Sequence, residues 1–285
     1  MLSTMARNDL GRTIIDELRL CYVAEPTLLA GLSETNFGER INYDDFALYR
    51  VGSRNFQCAF DVVYGTDKVA TLRFWHHVEQ EMSSYVFYRI ENRVLYDDEV
   101  LRKTLILPDI LGMEFQHITS IDLARDFKFN AVQRIRKLAK DESIKVIVNG
   151  KAISKDKDVP EGMFVFPLNF KKLNSPTIVI KQSKAVRDKT KGLTLCGYNK
   201  GKEIETSSHK NYIKDFYDNP KSLHRLEIHQ NNDEIKDFCK NNAITQDISL
   251  IFNQEFLDGM YNAHLSSLLR FTRGRTRLVW SEILQ

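Results

Sequence analysis

Short runs in which apolar and polar residues alternate dominate the first third of the chain. A period of two matches a β-strand, because successive side chains of a strand point to opposite faces. The runs are also rich in Val, Ile, Phe and Tyr, which favour strands. They are DELRLCYV (16–23), FALYRV (46–51), FQCAFDVVYG (56–65), VATLRFWHH (69–77) and YVFYRIENRVLY (85–96). This pattern predicts a half-buried antiparallel sheet.

Strands and helices mix in the rest of the chain. Residues 97–112 have the pattern of one or two helical turns that Pro108 interrupts, and we take this segment as a domain junction. Beyond it, strand patterns alternate with helical ones, such as the helix predicted at residues 130–141. We therefore expect an α+β fold of antiparallel sheets with packed helices. A β-rich amino-terminal domain (residues 1–112) would precede a second domain (113–285) that carries a carboxy-terminal helix.

Positive charge is concentrated locally, although the whole chain carries only +3. Residues 171–225 hold 13 Lys and Arg against 5 Asp and Glu, a net charge of +8, and the rest of the chain sums to −5. A second island, RFTRGRTR (270–277), has four arginines and no acid. Such clusters attract phosphates by releasing counterions. The alternative interpretation is a solvated basic face without a partner.

Cysteine usage, hydropathy and motif content argue against several classes of protein. The 4 cysteines show no CxxC spacing, which argues against a disulfide scaffold or a zinc knuckle. No apolar run reaches the roughly 20 residues of a membrane helix, and the first residues do not have the apolar centre of a secretion signal. The chain also has no Gly-rich phosphate loop, GxSxG elbow or HExxH motif. We expect a cytoplasmic protein that does not bind a membrane.

Three later strands carry their polar residues on alternate positions, so that each strand has one polar face. If the three strands are neighbours in one sheet, a single surface collects carboxylates, a histidine, a tyrosine and a lysine. Glu203 lies just beyond the strand at residues 193–200. The polar residues are Asp122 and Asp126 in ITSIDLARDF (118–127), Thr194, Cys196, Tyr198 and Lys200 in LTLCGYNK (193–200), and Arg225, Glu227 and His229 in LHRLEIHQ (223–230).

This set of side chains suits chemistry on phosphate. Carboxylates with one imidazole favour a hard divalent cation such as Mg²⁺ or Mn²⁺, and a nearby tyrosine hydroxyl could attack phosphorus as a nucleophile. Lysine and arginine would neutralise the charge of the transition state. The alternative is structural: Asp122 and Asp126 would form ordinary ion pairs with Arg125, Arg225 or Lys128.

The segments SIDLARDF, GLTLCGYNKGKEI and LHRLEIHQ, in this order, resemble the core motifs of rolling-circle replication initiators. The plasmid initiators of the Rep_trans type and the filamentous-phage replication proteins are the most similar. In these proteins an acidic hydrophobic-Asp-hydrophobic strand precedes a Tyr-Asn/Asp-Lys segment and a later Arg-hydrophobic-Glu strand. The similar region spans about residues 115–240. The resemblance implies a replication-initiator catalytic core, relaxase-like and ferredoxin-like, in the second domain.

The resemblance also implies an activity, that of a metal-dependent DNA endonuclease and strand transferase. Such an enzyme nicks and religates one strand at the replication origin of a phage or plasmid. Tyr198 would be the nucleophile that forms a 5′-phosphotyrosine link and leaves a 3′-hydroxyl. Lys200 and Arg225 would hold phosphate, and Glu203 could orient or deprotonate the attacking group.

The metal ligands and the DNA contacts are expected from the same resemblance. The ion would be Mg²⁺ or Mn²⁺, in a mainly carboxylate site, because the chain has no His-x-His motif. The expected metal ligands are Asp122 and Glu227, with Asp126 or His229 as additional ones. The expected DNA-binding residues are Lys181, Lys184, Arg187, Lys202, Arg225, Arg273 and Arg275.

The expected partner is origin DNA, either single-stranded or supercoiled, in the cytoplasm of a host cell. The amino-terminal domain would help to recognise the origin. An alternative function is that of a non-catalytic origin-binding protein that recruits a host helicase. Whether the chain acts as a monomer or a homodimer stays open. A structural or packaging role is disfavoured, because the chain has no low-complexity tail.

Overall fold

In a computed structural model, the chain is described over residues 10–75, 84–154, 164–166, 175–182, 185 and 191–284. Lys184 and Arg187, two of the predicted DNA-binding residues, lie outside these ranges. Antiparallel sheets and packed helices form the described part, which confirms the predicted α+β class. Within these ranges, none of the helices has the length and apolar character required to cross a membrane.

Each of the five alternating runs in the first third contains a strand. In chain order the strands are β1 (Thr13–Val23), β2 (Arg40–Tyr43), β3 (Phe46–Arg50), β4 (Cys58–Tyr64), β5 (Asp67–Phe74), β6 (Tyr85–Ile90), β7 (Glu114–Phe127), β8 (Ile144–Val148), β9 (Lys151–Ala152), β10 (Phe164–Phe166), β11 (Ile178–Lys181), β12 (Thr194–Asn199), β13 (His224–Asn231), β14 (Leu269–Arg273) and β15 (Thr276–Arg277).

The helices are mostly short. They are α1 (Pro26–Ser33), α2 (Asp98–Thr104), α3 (Leu107–Ile110), α4 (Ala131–Lys140), α5 (Lys200–Glu203), α6 (Asn211–Phe216), α7 (Asn232–Asn241), α8 (Gln254–Leu268) and α9 (Trp280–Ile283). Pro108 lies in the first turn of α3, where its missing N–H costs no helical hydrogen bond. Asn130 caps α4 as its position predicts, because its side chain accepts a hydrogen bond from the Gln133 amide.

The chain divides into two compact units. The amino-terminal unit contains Asp16–Ile121 and Thr245–Ile248. The carboxy-terminal unit contains Asp122–Ile244, Ser249–Gln285 and the described residues before Asp16. The division passes through β1 and β7, so each of these strands contributes residues to both units.

In the amino-terminal unit the strand order is β7, β1, β6, β5, β4, β3, β2. In this order, all neighbouring strands between β1 and β2 pair in antiparallel fashion. One face is apolar: Leu20 and Leu72 both lie opposite Tyr88, and all three side chains are buried. The Tyr88 hydroxyl donates a hydrogen bond to the Thr104 carbonyl oxygen at 3.0 Å, which packs α2 on this face.

The larger sheet of the carboxy-terminal unit has the order β10, β11, β12, β13, β7. Its apolar face includes Leu195 and Leu226, both fully buried. Gly197 lies on the same face, where a Cβ atom would be 2.8 Å from Leu226 Cδ2 and 3.1 Å from Val132 Cγ2. Glycine at this position therefore lets α4 approach β12 closely, and Tyr198, the next residue, points to the opposite face.

A second sheet in this unit has the order β15, β14, β8, β9. Its inner face is apolar and includes the buried Phe271, which lies opposite Val146. The register of β14 with β8 and β15 places Arg270, Lys145 and Arg277 on the outer face. The outer face of this sheet is therefore basic.

Arg125 connects β7 with β1 and α8 through a partly buried polar network. Its Nε atom donates to Thr13 Oγ1 and its Nη2 atom to Asp258 Oδ1, both at 2.9 Å. Its guanidinium group also lies 4.4 Å from the centre of the Tyr261 ring. Burial alone would raise the pKa of Asp258, but hydrogen bonds from Thr13 and Gln254 and the charge of Arg125 outweigh it and lower that pKa below its ordinary value of 3.8.

We predict that this network makes the free energy of unfolding fall as the pH is lowered through the acid range. A carboxyl group whose pKa is lower in the folded state stabilises the fold above its unfolded value, and this contribution is lost as the pH falls through the folded value. The free energy of unfolding in urea should therefore be higher for the wild type than for Asp258→Asn at pH 7. The difference should shrink steadily below pH 3.8. A difference that is independent of pH between 7 and 3 would contradict this account.

Candidate active site

The three polar-faced segments form adjacent strands, in the order β12, β13, β7. Strands β12 and β13 are antiparallel, and their register pairs Thr194 with His229, Cys196 with Glu227, and Tyr198 with Arg225. Residues directly opposite each other in a sheet project to the same face. The sheet therefore collects the polar residues of these two strands on one surface, opposite the face that packs against α4.

Tyr198 and Glu227 are in direct contact on this surface. The Tyr198 hydroxyl donates a hydrogen bond to Glu227 Oε2 at 2.9 Å. The Glu227 side chain is 19% exposed, and its Oε2 atom also lies 4.0 Å from Arg225 Nη1. A phenol that is hydrogen-bonded to a carboxylate has the arrangement of a nucleophile next to its general base.

Asp122 and His229 form a second contact on the same surface. His229 Nδ1 and Asp122 Oδ1 are within hydrogen-bonding distance, and both side chains are partly exposed. Cys196 lies close to both contacts: burial, together with the negative charges of Glu227 and Asp122, raises the pKa of its thiol to about 12, against the opposing charge of Lys181. Burial and the neighbouring carboxylates thus disfavour the thiolate form of Cys196, which argues against this residue as a nucleophile.

Arg225 projects to the same face of the sheet as Tyr198, but it forms a buried ion pair with Asp126. Arg225 Nε and Nη2 donate to Asp126 Oδ1 and Oδ2 at 2.8 and 2.7 Å, and both side chains have no exposed area. This is the bidentate geometry in which arginine and a carboxylate bind most strongly. Arg225, predicted to hold phosphate, and Asp126, predicted as a metal ligand, are thus engaged with each other in the protein interior.

Lys200 and Glu203 lie on a helix rather than on the strand. Strand β12 ends at Asn199, whose side chain accepts a hydrogen bond from the Lys202 amide at 2.8 Å and caps α5. Lys200 is buried, with its Nζ atom 3.0 Å from Glu203 Oε2 and 5.7 Å from the centre of the Tyr198 ring. Glu203 therefore pairs with Lys200, and it is Glu227 that contacts the Tyr198 hydroxyl.

The predicted DNA-binding residues that the structure describes lie at several positions. Lys202, Arg273 and Arg275 are exposed, and Lys181 is half-buried at the end of β11. Arg273 Nη2 lies 3.6 Å from Oδ2 of Asp141, the residue that follows α4. Exposed Arg and Lys side chains of this kind can move to meet a phosphate at little cost.

The predicted metal ligands do not all fit one ion. In the described ranges, no group of three or more His, Cys, Asp and Glu side chains is placed to hold a metal. Asp126 is closed off by Arg225, whereas Asp122 and His229 are in contact and partly exposed. A carboxylate with an imidazole is still a suitable donor pair, because Mg²⁺ needs only one or two protein carboxylates when phosphates and water complete its coordination.

The sequence did not indicate that Glu227 is the partner of Tyr198. Both residues were placed on polar faces, but their contact depends on which residues of β12 and β13 lie opposite each other. The two strands are separated along the chain by two helices, α5 and α6, so no hairpin turn determines their register. The strict alternation on both strands was the one signal that favoured a common face.

Comparisons with known proteins give limited information. No protein-family model matches the chain, and no curated protein matches it significantly. Among solved structures, the chain is similar to the rolling circle replication initiator protein from Geobacillus stearothermophilus, with 12% sequence identity and a TM-score of 0.45. The match covers 93% of this chain and 88% of that one. At this identity and TM-score, the likeness establishes no function for the chain.

We predict that breaking the Asp126–Arg225 pair destabilises the protein strongly. Asp126→Asn or Arg225→Met leaves one buried charge without compensation, which typically costs about 3–5 kcal/mol. Urea unfolding, monitored by circular dichroism, measures the change in the free energy of unfolding. The matched control is Glu99→Gln, which removes an exposed, solvent-screened pair with Lys103 and should lower the free energy of unfolding far less. Equal losses for the buried and the exposed pair would contradict the burial of Asp126 and Arg225.

Proposed function

We propose that the chain is a rolling-circle replication initiator of a phage or plasmid, which nicks and religates one DNA strand at the origin. The observation that carries this proposal is the hydrogen bond from the Tyr198 hydroxyl to Glu227 Oε2 at 2.9 Å. It joins the tyrosine of the initiator-like segment to a carboxylate of the Arg-hydrophobic-Glu strand. Few other roles need a partly exposed tyrosine, a carboxylate base and a buried lysine together on one surface.

The proposed reaction is a transesterification at phosphorus. Glu227 accepts the phenolic proton of Tyr198, and the phenolate oxygen attacks the phosphorus of the scissile phosphodiester. The bond between phosphorus and the 3′ oxygen breaks, and that oxygen takes up the proton that Glu227 accepted, relayed through water, to become a free 3′-hydroxyl. The 5′ phosphate stays on Tyr198 as a phosphotyrosine. Religation is the reverse reaction, in which a 3′-hydroxyl attacks the phosphotyrosine and the phenol is released.

Fixed positive charge supports this reaction. Lys200 Nζ lies 5.7 Å from the centre of the Tyr198 ring, and the lysine is buried, so its charge is less screened than that of a surface lysine. It favours the phenolate form of Tyr198 and the negative charge that grows on the phosphate. Glu203 holds Lys200 in place at 3.0 Å and acts as a positioning residue.

The divalent metal is part of the proposal. Asp122 and His229 would hold Mg²⁺ or Mn²⁺ beside Tyr198, with Glu227 as the next carboxylate on the same surface. When bound, such an ion polarises a phosphate oxygen of the DNA. In the proposed arrangement, these side chains also position the scissile phosphate against the Tyr198 hydroxyl.

DNA is proposed to contact the basic outer face of the small sheet. Arg270, Arg277 and Lys145 share that face, Arg273 ends β14, and Arg275 lies in the turn between β14 and β15. Contacts to phosphate from such a face give affinity without sequence readout. Recognition of the origin by residues 1–112, catalysis by residues 113–285, and action in the host-cell cytoplasm complete the proposal.

We predict that Tyr198→Phe abolishes the covalent protein–DNA adduct. The change removes only the hydroxyl that attacks phosphorus, so the folded protein should still bind DNA. Wild type and variant are incubated with Mn²⁺ and a labelled single-stranded fragment that contains the origin, and adducts are resolved on a denaturing gel. Glu227→Gln, which keeps the hydrogen bond but not the base, should slow adduct formation at least about a hundredfold.

Tyr212→Phe is the matched control for this experiment, since it makes the same chemical change on α6, outside β12 and β13. It should form the adduct at the wild-type rate. If Tyr198→Phe still forms the adduct and Tyr212→Phe does not, the nucleophile is misassigned. If the wild type binds the fragment tightly but forms no adduct, the alternative function is favoured: an origin-binding protein without catalysis that recruits a host helicase.

Removal of divalent metal should separate catalysis from binding. We expect EDTA to stop adduct formation, and added Mn²⁺ or Mg²⁺ to restore it, while the affinity for the DNA fragment changes little. Asp122→Asn should raise the Mn²⁺ concentration needed for half-maximal adduct formation, because one donor of the proposed pair is lost. Full adduct formation in EDTA would show that the side chains act without a metal.

A further inference from the structure

Three aromatic side chains form a cluster on the amino-terminal unit, outside the candidate active site. The rings of Phe56 and Trp75 stack, with their centres 4.2 Å apart and an angle of 27° between their planes. Phe87 lies 5.6 Å from Phe56 and 5.7 Å from Trp75. All three side chains are half-buried rather than enclosed.

The cluster lies on the face of the sheet opposite its apolar core. Phe87 on β6 pairs with Arg73 on β5, whereas Tyr88, the next residue along β6, pairs with Leu72 in the core. Arg89 and Arg19 lie opposite each other on the same face as Phe87. Aromatic rings are thus interleaved with arginines on a surface that the packing of the core does not require.

Basic side chains slightly outnumber acidic ones on this face. Arg19 and Arg89 pair with Glu17, at 2.5 and 3.6 Å, and Lys68 pairs with Asp61 and Glu91. The Arg73 guanidinium lies 5.9 Å from the centre of the Phe56 ring, and its Nε atom is buried without a hydrogen-bond partner in the described part of the chain. Arg73 therefore stays stacked on the aromatic cluster, and the exposed side chains of Arg19 and Arg89 are the ones that can meet a phosphate.

We infer that this aromatic–arginine face binds single-stranded DNA through base stacking. Aromatic rings on an open antiparallel sheet, next to cationic side chains, can hold unpaired bases and backbone phosphates at the same time. An acidic protein would satisfy the arginines, but it would have no use for stacked, half-exposed rings beside them. The inference rests on the proposed function and extends it with a second, non-catalytic contact for the unpaired strand.

Tryptophan fluorescence tests the stacking directly, because the chain has 2 tryptophans. The other one, Trp280, is buried against Phe271, so Trp280→Phe is a mild change that leaves Trp75 as the sole reporter. Titration of this variant with oligothymidylate of about 12 nucleotides should quench the emission. The complementary variant Trp75→Phe, in which only Trp280 emits, should show no quenching.

Affinity supplies a second readout. Phe87→Ala should weaken oligothymidylate binding about tenfold, within the range expected for loss of one stacking side chain. Phe37→Ala is the matched control, since Phe37 is a highly exposed aromatic of the same unit outside the cluster, and it should bind like the wild type. Circular dichroism verifies that each variant is folded.

The outcomes are distinct from those of the adduct experiment. Quenching by oligothymidylate, with little quenching by a duplex of the same length, supports the inference even if Tyr198 forms no adduct. Adduct formation without quenching overturns the inference and leaves the proposed nuclease intact. Equal quenching by duplex and single strand also overturns it, because the bases of a duplex are not free to stack on the rings.

Discussion

The buried ion pair between Arg225 and Asp126 determines the arrangement of the candidate active site. It bonds β13 to β7 with two hydrogen bonds in a place that water does not reach. Side chains two or four residues apart on a strand point to the same face. Asp122 lies four residues before Asp126 on β7, and His229 lies four residues after Arg225 on β13, so the ion pair also brings Asp122 to His229. Glu227 lies between them on β13 and is left to meet Tyr198 from β12. A shift of one residue would turn every one of these side chains to the other face.

The pair also has a cost, because moving two charges out of water is unfavourable unless their geometry is good. Two short bidentate hydrogen bonds meet that condition. The same principle applies around the pair: the buried Lys200 lies against Glu203, and the partly buried Arg125 bonds to Asp258 and Thr13. Arg225, Lys200 and Arg125 thus each have a partner of opposite sign. The partly exposed members of the polar surface, Glu227, Asp122 and His229, are the ones available for chemistry.

Much of this arrangement could be predicted from residue patterns, but roles that depend on pairing could not. Alternation placed Tyr198, Glu227, His229 and Asp122 on polar faces, and the strands carrying them are neighbours. The family resemblance implied that Glu203 could orient or deprotonate the nucleophile, whereas in the structure it pairs with Lys200. Lys200 was expected to continue the strand, but Asn199 caps a helix at that point. Such competition between a strand and a capped helix depends on tertiary contacts as much as on local preference.

By itself, the sequence determined the α+β class, the strands of the first third and the segregation of polar from apolar faces, because all three follow from local periodicity. It also indicated where positive charge accumulates. Only the tertiary structure decided that Asp126 is enclosed by Arg225, that Glu227 and not Glu203 meets the Tyr198 hydroxyl, and that Phe56, Trp75 and Phe87 converge. The physical reason is that these contacts join side chains from different strands. Their register is set by packing and by buried charge, which no local pattern contains.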